Sequence, residues 1–142
     1  DFYMVGGMGH TSSLSLGVSL KTNKDVICID GDGSLIMHLG SMINIGKFAK
    51  SNFKHIMLNN LSHESVGGQS TNIENLNFLE LTRGFGYEKY FSINNKFNYK
   101  NKIRSFLQSK GPVFLEVKIK KGTLKNLARP KNLKLIKENF IK

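Results

Sequence analysis

One cysteine, Cys28, is all that the 142 residues contain. A lone thiol excludes a disulfide framework within the chain and any cluster built from several cysteine ligands. No His-Glu-x-x-His spacing occurs, which disfavours zinc-dependent hydrolysis. No apolar run approaches the ~20 residues that span a bilayer, and no secretory signal opens the chain. Acidic residues are scarce too: 10 Asp+Glu stand against 21 Lys+Arg, a formal net charge of +11. Internal repeats and low-complexity segments are missing. What remains, 39% hydrophobic and 22% charged residues, is the composition of one globular domain able to bury a core without staples. The text begins at Asp1 inside an apolar stretch, which reads as a piece of a longer protein.

The positive charge is uneven. Residues 118–142 carry nine bases (Lys118, Lys120, Lys121, Lys125, Arg129, Lys131, Lys134, Lys137, Lys142) and one acid, Glu138, a net +8 that leaves only +3 for residues 1–117. Residues 1–120 are therefore read as the domain and 121–142 as a basic extension. A solvated tail, or an arm packed on a partner chain, explains that charge. Nucleic-acid binding, the non-enzyme alternative, would want a basic face with interleaved aromatics, and the tail offers only Phe140.

Hydrophobic patterning alternates between strand and helix. Phe2–Val5 is a short apolar run that stops at Gly6-Gly7. A helix is expected over 10–21, capped by Thr11 or Ser12, with Leu14, Leu16, Val18 and Leu20 as its apolar surface. Four consecutive apolar residues, Val26–Ile29, predict a buried strand ending at Gly31-Asp32-Gly33. Ser34 to about Lys50 reads as one helix, 55–58 as a strand, and 61–75 as a polar loop. A short helix over 76–84, a strand over 87–93 and an amphipathic helix over 98–110 follow. Pro112–Ile119 reads as a strand near an edge of the sheet, because charges appear towards its end. The alternation predicts a three-layer α/β/α fold with a mostly parallel sheet and helices on both faces.

Ligands of such sheets bind beyond the carboxyl ends of the strands. Gly6-Gly7-Met8-Gly9, Gly31-Asp32-Gly33-Ser34 and Asn59-Asn60 all read as falling at such ends. A carboxylate flanked by glycines can approach a ligand closely, and the N–H groups of Gly33, Ser34 and Leu35 suit a phosphate oxygen. An acid beside a phosphate is repulsive, by ~4 kcal/mol at ~4 Å and an effective dielectric of 20. A helix terminus returns only ~0.3–2 kcal/mol. A cation must therefore lie between them, and Mg²⁺ is the natural bridge. An Asn carbonyl at the end of the next strand, and a backbone carbonyl just beyond, are hard neutral oxygens for the same ion.

The Gly-Asp-Gly, followed by helix, strand and Asn-Asn about 27 residues on, resembles the diphosphate-binding signature of the thiamin-diphosphate-dependent enzymes. From Gly6 to about Ile119 the chain is similar to that family's diphosphate-binding domain. Gly7–His10, Ile29–Gly33 and the run His63-Glu64-Ser65-Val66-Gly67-Gly68-Gln69 resemble the phosphonopyruvate-decarboxylating branch. The β chains of the sulfopyruvate-decarboxylating branch are similar in the first two segments and differ in the last.

The resemblance implies thiamin diphosphate and Mg²⁺ as cofactors and decarboxylation of an anionic 2-keto acid. It implies Asp32, Asn60 and the Ser62 backbone carbonyl as metal ligands, although Asn59 lies 27 steps from Asp32 and Asn60 lies 28. Gly31, Gly33 and Ser34 would meet the diphosphate, the Gly6 carbonyl the 4′-amino group, and Met8 would be the apolar wedge that bends the cofactor into a V. His10, His63 and Glu64 are the candidates for handling substrate. His38, His55 and Cys28 are read as structural. The family's activating glutamate belongs to a separate pyrimidine-binding domain or subunit, and none of Glu64, Glu74, Glu80 and Glu88 stands in the right place for it. The implied protein is a cytoplasmic homo- or hetero-oligomer, with the Arg129-Pro130 stretch packed on a neighbouring subunit. The rival enzyme class is a nicotinamide-dependent oxidoreductase, because Gly7-Met8-Gly9-His10-Thr11-Ser12 approximates G-x-G-x-x-G; it leaves Asp32 and the Asn pair without a role.

Overall fold

The computed structural model describes residues 1–123, 126–128 and 130–141. Lys125, Arg129 and Lys142, three of the nine tail bases, lie outside the described residues, and so does the Arg129 half of the Arg129-Pro130 stretch.

Four parallel strands form one sheet in the order β1-β2-β4-β3: β1 (Val26–Gly31), β2 (Phe53–Asn59), β3 (Lys89–Ile93) and β4 (Val113–Lys118). Helices α1 (Thr11–Lys21), α2 (Asp32–Met37), α3 (Ser41–Phe48) and α4 (Phe78–Gly84) belong to one face. Helix α5 (Tyr99–Gln108) covers part of the other, and α6 (Leu133–Ile141) lies in the extension. Residues Leu35, Met42 and Ile45 bury the first face with Cys28, Phe53, Met57 and Phe114. Phe106 of α5 packs on Ile93, Val113 and Leu115 from the opposite side. The β1-to-β2 crossover runs over one face and the β3-to-β4 crossover over the other. Strand steps in opposite directions require this if both turns are right-handed.

The three-layer α/β architecture expected from the alternation is observed, with five corrections. First, the expected helix from Ser34 to Lys50 is two helices. His38 departs from helical geometry (φ −134°, ψ 43°), and the chain turns through His38–Gly40 before α3 begins. His38 therefore sits in a turn, not on a helix.

Second, β4 is not near an edge: it lies between β2 and β3. Its Glu116 is buried because Asn59 and Tyr90 both donate to its carboxylate. Third, β1 is not buried on both faces. It is the outer strand among the described residues, and Ile27 and Ile29 remain 48% and 56% exposed.

Fourth, α1 turns serines to the interior. Ser12, Ser15 and Ser19 are buried while Leu14 and Leu20 are exposed. Small side chains let the helix approach the sheet. Their hydroxyls stay satisfied, Ser12 with Ser41 at 3.1 Å and Ser19 donating to the Leu16 carbonyl at 2.8 Å. Fifth, the cap position of α1 is taken by His10, without a side-chain bond, instead of Thr11 or Ser12. Among the described residues no helix is long and apolar enough to cross a membrane.

Candidate functional site

Strands β1 and β2 run in register, Gly31 opposite Leu58, so the residues just beyond both ends emerge side by side. A crevice of about 700 Å³ opens there, within the range of small-molecule sites. Its walls include Gly6 and Met8 from the first loop, Gly31–Ser34 from the β1 end, and Asn60, Ser62, His63 and Glu64 from the β2 end. Three segments far apart in sequence thus share one cavity. Every candidate residue lies on it except His10, which stacks on His38 with ring centroids 4.3 Å apart.

Asp32 is the first residue of α2 and is only 2% exposed. Its Oδ2 accepts a hydrogen bond from the Thr71 hydroxyl at 2.9 Å. Asn60 is fixed at both ends of its amide: Oδ1 accepts from the Ser62 N–H at 3.1 Å, and Nδ2 donates to Glu64 Oε2 at 2.9 Å. A carbonyl oxygen has two lone pairs, so Oδ1 can still meet a cation. Asn59 is committed elsewhere. It is buried, donates to Glu116 Oε1 at 2.7 Å, and accepts from the Leu61 N–H at 3.2 Å. Asn60 lines the crevice and Asn59 does not.

The loop after β2 is held by a Ser62–Ser70 bridge and by Ser62 Oγ donating to the Gly68 carbonyl at 3.1 Å. It folds His63 onto Gly33, whose missing side chain leaves the room: a Cβ there would strike the imidazole. Ser34 Oγ accepts from the Gly9 N–H at 3.0 Å and ties the Met8 loop to the β1 end. Gly6 (φ 78°) and Gly31 have open space where a side chain would be. Glu64 Oε1 accepts from the Gly122 N–H, and Pro130 also lines the crevice. At these points the extension meets its own domain, and α6 brings Phe140 to 5.2 Å from Phe2.

The carboxylate of Asp32, the amide oxygen of Asn60 and the Ser62 carbonyl offer oxygen only, the donor set that suits Mg²⁺. The open backbone at Gly6 and Gly31 suits the approach of a phosphate. The residues present therefore fit a metal-bridged diphosphate. The oxidoreductase reading loses support, since no strand precedes Gly7 among the described residues. Thr71 escaped the sequence reading: it lies in a polar loop with no periodicity, and only the fold shows its bond to Asp32.

Residues 1–117 match the family described as "Thiamine pyrophosphate enzyme, C-terminal TPP binding domain". The chain is 35% identical over 130 residues to a phosphonopyruvate decarboxylase of Streptomyces viridochromogenes, covering 92% of this chain and 33% of that protein. It is 40% identical over 89 residues to the sulfopyruvate decarboxylase subunit beta of Methanocaldococcus jannaschii, covering 62% of this chain and 47% of the subunit. The chain thus spans between a third and a half of these two relatives. A solved chain from Mycobacterium smegmatis, described as thiamin diphosphate-dependent, shares the fold with a TM-score of 0.68 at 21% identity, over 82% of this chain and 23% of that one.

Proposed function

The chain belongs to the thiamine pyrophosphate enzymes, through their C-terminal TPP-binding domain, and from that premise we propose that it forms the diphosphate and Mg²⁺ half of a 2-keto acid decarboxylase. The substrate we propose is phosphonopyruvate, converted to phosphonoacetaldehyde and CO₂. One observation carries this reading: the Met8 loop, Asp32 and Asn60 converge on a single crevice, where the candidate metal ligands Asp32, Asn60 and Ser62 all offer oxygen.

When bound, thiamin diphosphate supplies the electron sink that lets a 2-keto acid lose CO₂. The protein's own residues do the positioning. Asp32, Asn60 and the Ser62 carbonyl would hold Mg²⁺. Glu64, whose 2.9 Å bond fixes the Asn60 amide, would position that ligand from the crevice wall. Gly31, Gly33 and Ser34 would hold the diphosphate, the Gly6 carbonyl would accept at the pyrimidine end, and Met8 would be the apolar wedge. His63, held against Gly33, is the group best situated to meet an anionic substrate; His10 lies outside the crevice walls. The activating glutamate comes from a pyrimidine-binding domain or partner subunit, so the working protein is an oligomer or a longer chain.

The test is an assay of the full-length or reconstituted protein with phosphonopyruvate, sulfopyruvate and pyruvate side by side. Turnover of phosphonopyruvate with the highest kcat/KM is expected. Preference for sulfopyruvate would favour the second reading, which the 40% identity to a sulfopyruvate decarboxylase subunit supports. Release of CO₂ from none of the three would overturn both.

A further inference from the structure

Beside the crevice, whose wall includes Asp30, the same two strands gather a second set of polar side chains, and this set is not of oxygen alone. Cys28 and Asp30 are two residues apart on β1, so the pleat turns both to the same face. His55 on β2 stands opposite Cys28 in the register. Their ligand atoms all lie within 4.8 Å of one another, and the three residues are 1%, 3% and 0% exposed. Asp30 Oδ2 and His55 Nε2 are buried without a hydrogen-bond partner among the described residues. Such orphans are rare in native interiors, and they call for an occupant.

We propose that Cys28, Asp30 and His55 form a second metal site that takes Zn²⁺, distinct from the Mg²⁺ site in the crevice. A thiolate, an imidazole and a carboxylate are ligands that zinc accepts and Mg²⁺ does not favour. Metal–ligand bonds of ~2.0–2.3 Å place tetrahedral ligand atoms ~3.3–3.8 Å apart, so side-chain adjustments of about 1 Å close the site. Zinc with one thiolate and one carboxylate is a neutral unit, which suits burial. His55 is prepared for the role from its far side: Nδ1 lies 2.9 Å from the Tyr87 hydroxyl. With Nδ1–H donating there, the Nε2 lone pair points at Cys28 and Asp30, the outer-ligand arrangement usual for zinc-bound imidazoles. With three protein ligands, a water would complete the tetrahedron. The ion would fasten β1 to β2 directly beneath the loops that form the crevice.

The experiment measures metal on the full-length protein, purified without chelator and dialysed against Mg²⁺ buffer. One zinc per chain is expected in the wild type and in Asp32→Ala, with loss in Cys28→Ser. Tyr87→Phe should weaken zinc by about 10–100-fold while the ligands themselves stay in place. Replacement by Co²⁺ in the unmutated protein should give a thiolate-to-metal charge-transfer band, a readout that needs no variant to fold. Wild-type protein without zinc and without that band would overturn the proposal. So would zinc that survives Cys28→Ser, or zinc that disappears with Asp32→Ala, because the ion would then sit in the crevice.

Discussion

The ends of β1 and β2 each carry two like side chains that meet opposite fates. Asp30 and Asp32 are both buried carboxylates, two residues apart. Asp32 lies on the crevice, with a hydroxyl donor on its Oδ2. Asp30 also borders the crevice, but its carboxylate lies within 4.8 Å of the Cys28 and His55 ligand atoms, and its Oδ2 finds no donor among the described residues. Burial raises the Asp30 carboxyl above its ordinary pKa, opposed by the Ser34 hydroxyl and the Gly31 N–H. In the same interior, burial pushes the Cys28 thiol up to about 12 and the His55 imidazole down to about 3.

Asn59 and Asn60 divide in the same way: Asn59 ties β2 to Glu116 of β4, and Asn60 faces the crevice. The division is geometric. While the chain remains in the sheet, its polar side chains have only the packed interior to turn to, where Asn59 finds Glu116 and Asp30 leaves one oxygen unpartnered among the described residues. One or two residues after it leaves, the same residue types are available to a ligand.

The sharpest way to break this contrast is Asp32→Ala. Decarboxylase turnover of the assembled protein should fall by at least about a thousandfold, a loss of ~4 kcal/mol in transition-state stabilisation. The far-ultraviolet circular dichroism should be unchanged. Next comes Asn60→Ala, for which titration of Mg²⁺ at fixed cofactor should show at least about tenfold weaker binding. Asn59→Ala should act on stability instead. It leaves buried Glu116 without one of its donors, and urea unfolding should report a loss of about 1–3 kcal/mol with cofactor affinity retained. If the two asparagines exchanged these phenotypes, the assignment of crevice and interior would be reversed. The smallest effect is expected from Gly33→Ala: its methyl displaces His63, at about 1 kcal/mol of stability, and the change should appear in KM for the substrate before it appears in cofactor binding.

Much of this was legible in the sequence, because it depends on local pattern. The strand–helix alternation predicted the parallel sheet. The glycines around Asp32 and the paired asparagines marked the two strand ends that build the crevice. What could not be read depends on distant partners. Whether β1 or β4 lies at an edge is decided by which strands pair, and an apolar run such as Val26–Ile29 looks the same in either place.

The serine face of α1 was hidden because its leucines look like the better core residues, yet close approach to β1 favours the smaller side chains. Gly46 belongs to the same category. It lies against the Phe85 carbonyl, where any Cβ would collide, and nothing near residue 46 announces that contact. Cys28 and His55, read singly as structural, acquire chemistry only when the register sets them opposite one another.

The central claim is that a divalent cation held by Asp32 and Asn60 tethers a diphosphate at the ends of β1 and β2. Equilibrium dialysis of thiamin diphosphate against the assembled protein, with and without Mg²⁺, tests it most directly when the wild type is run beside Asp32→Ala and Asn59→Ala. Mg²⁺-dependent retention is expected in the wild type and in Asn59→Ala, and none in Asp32→Ala. Retention that ignores Mg²⁺, or that survives the loss of Asp32, would contradict it.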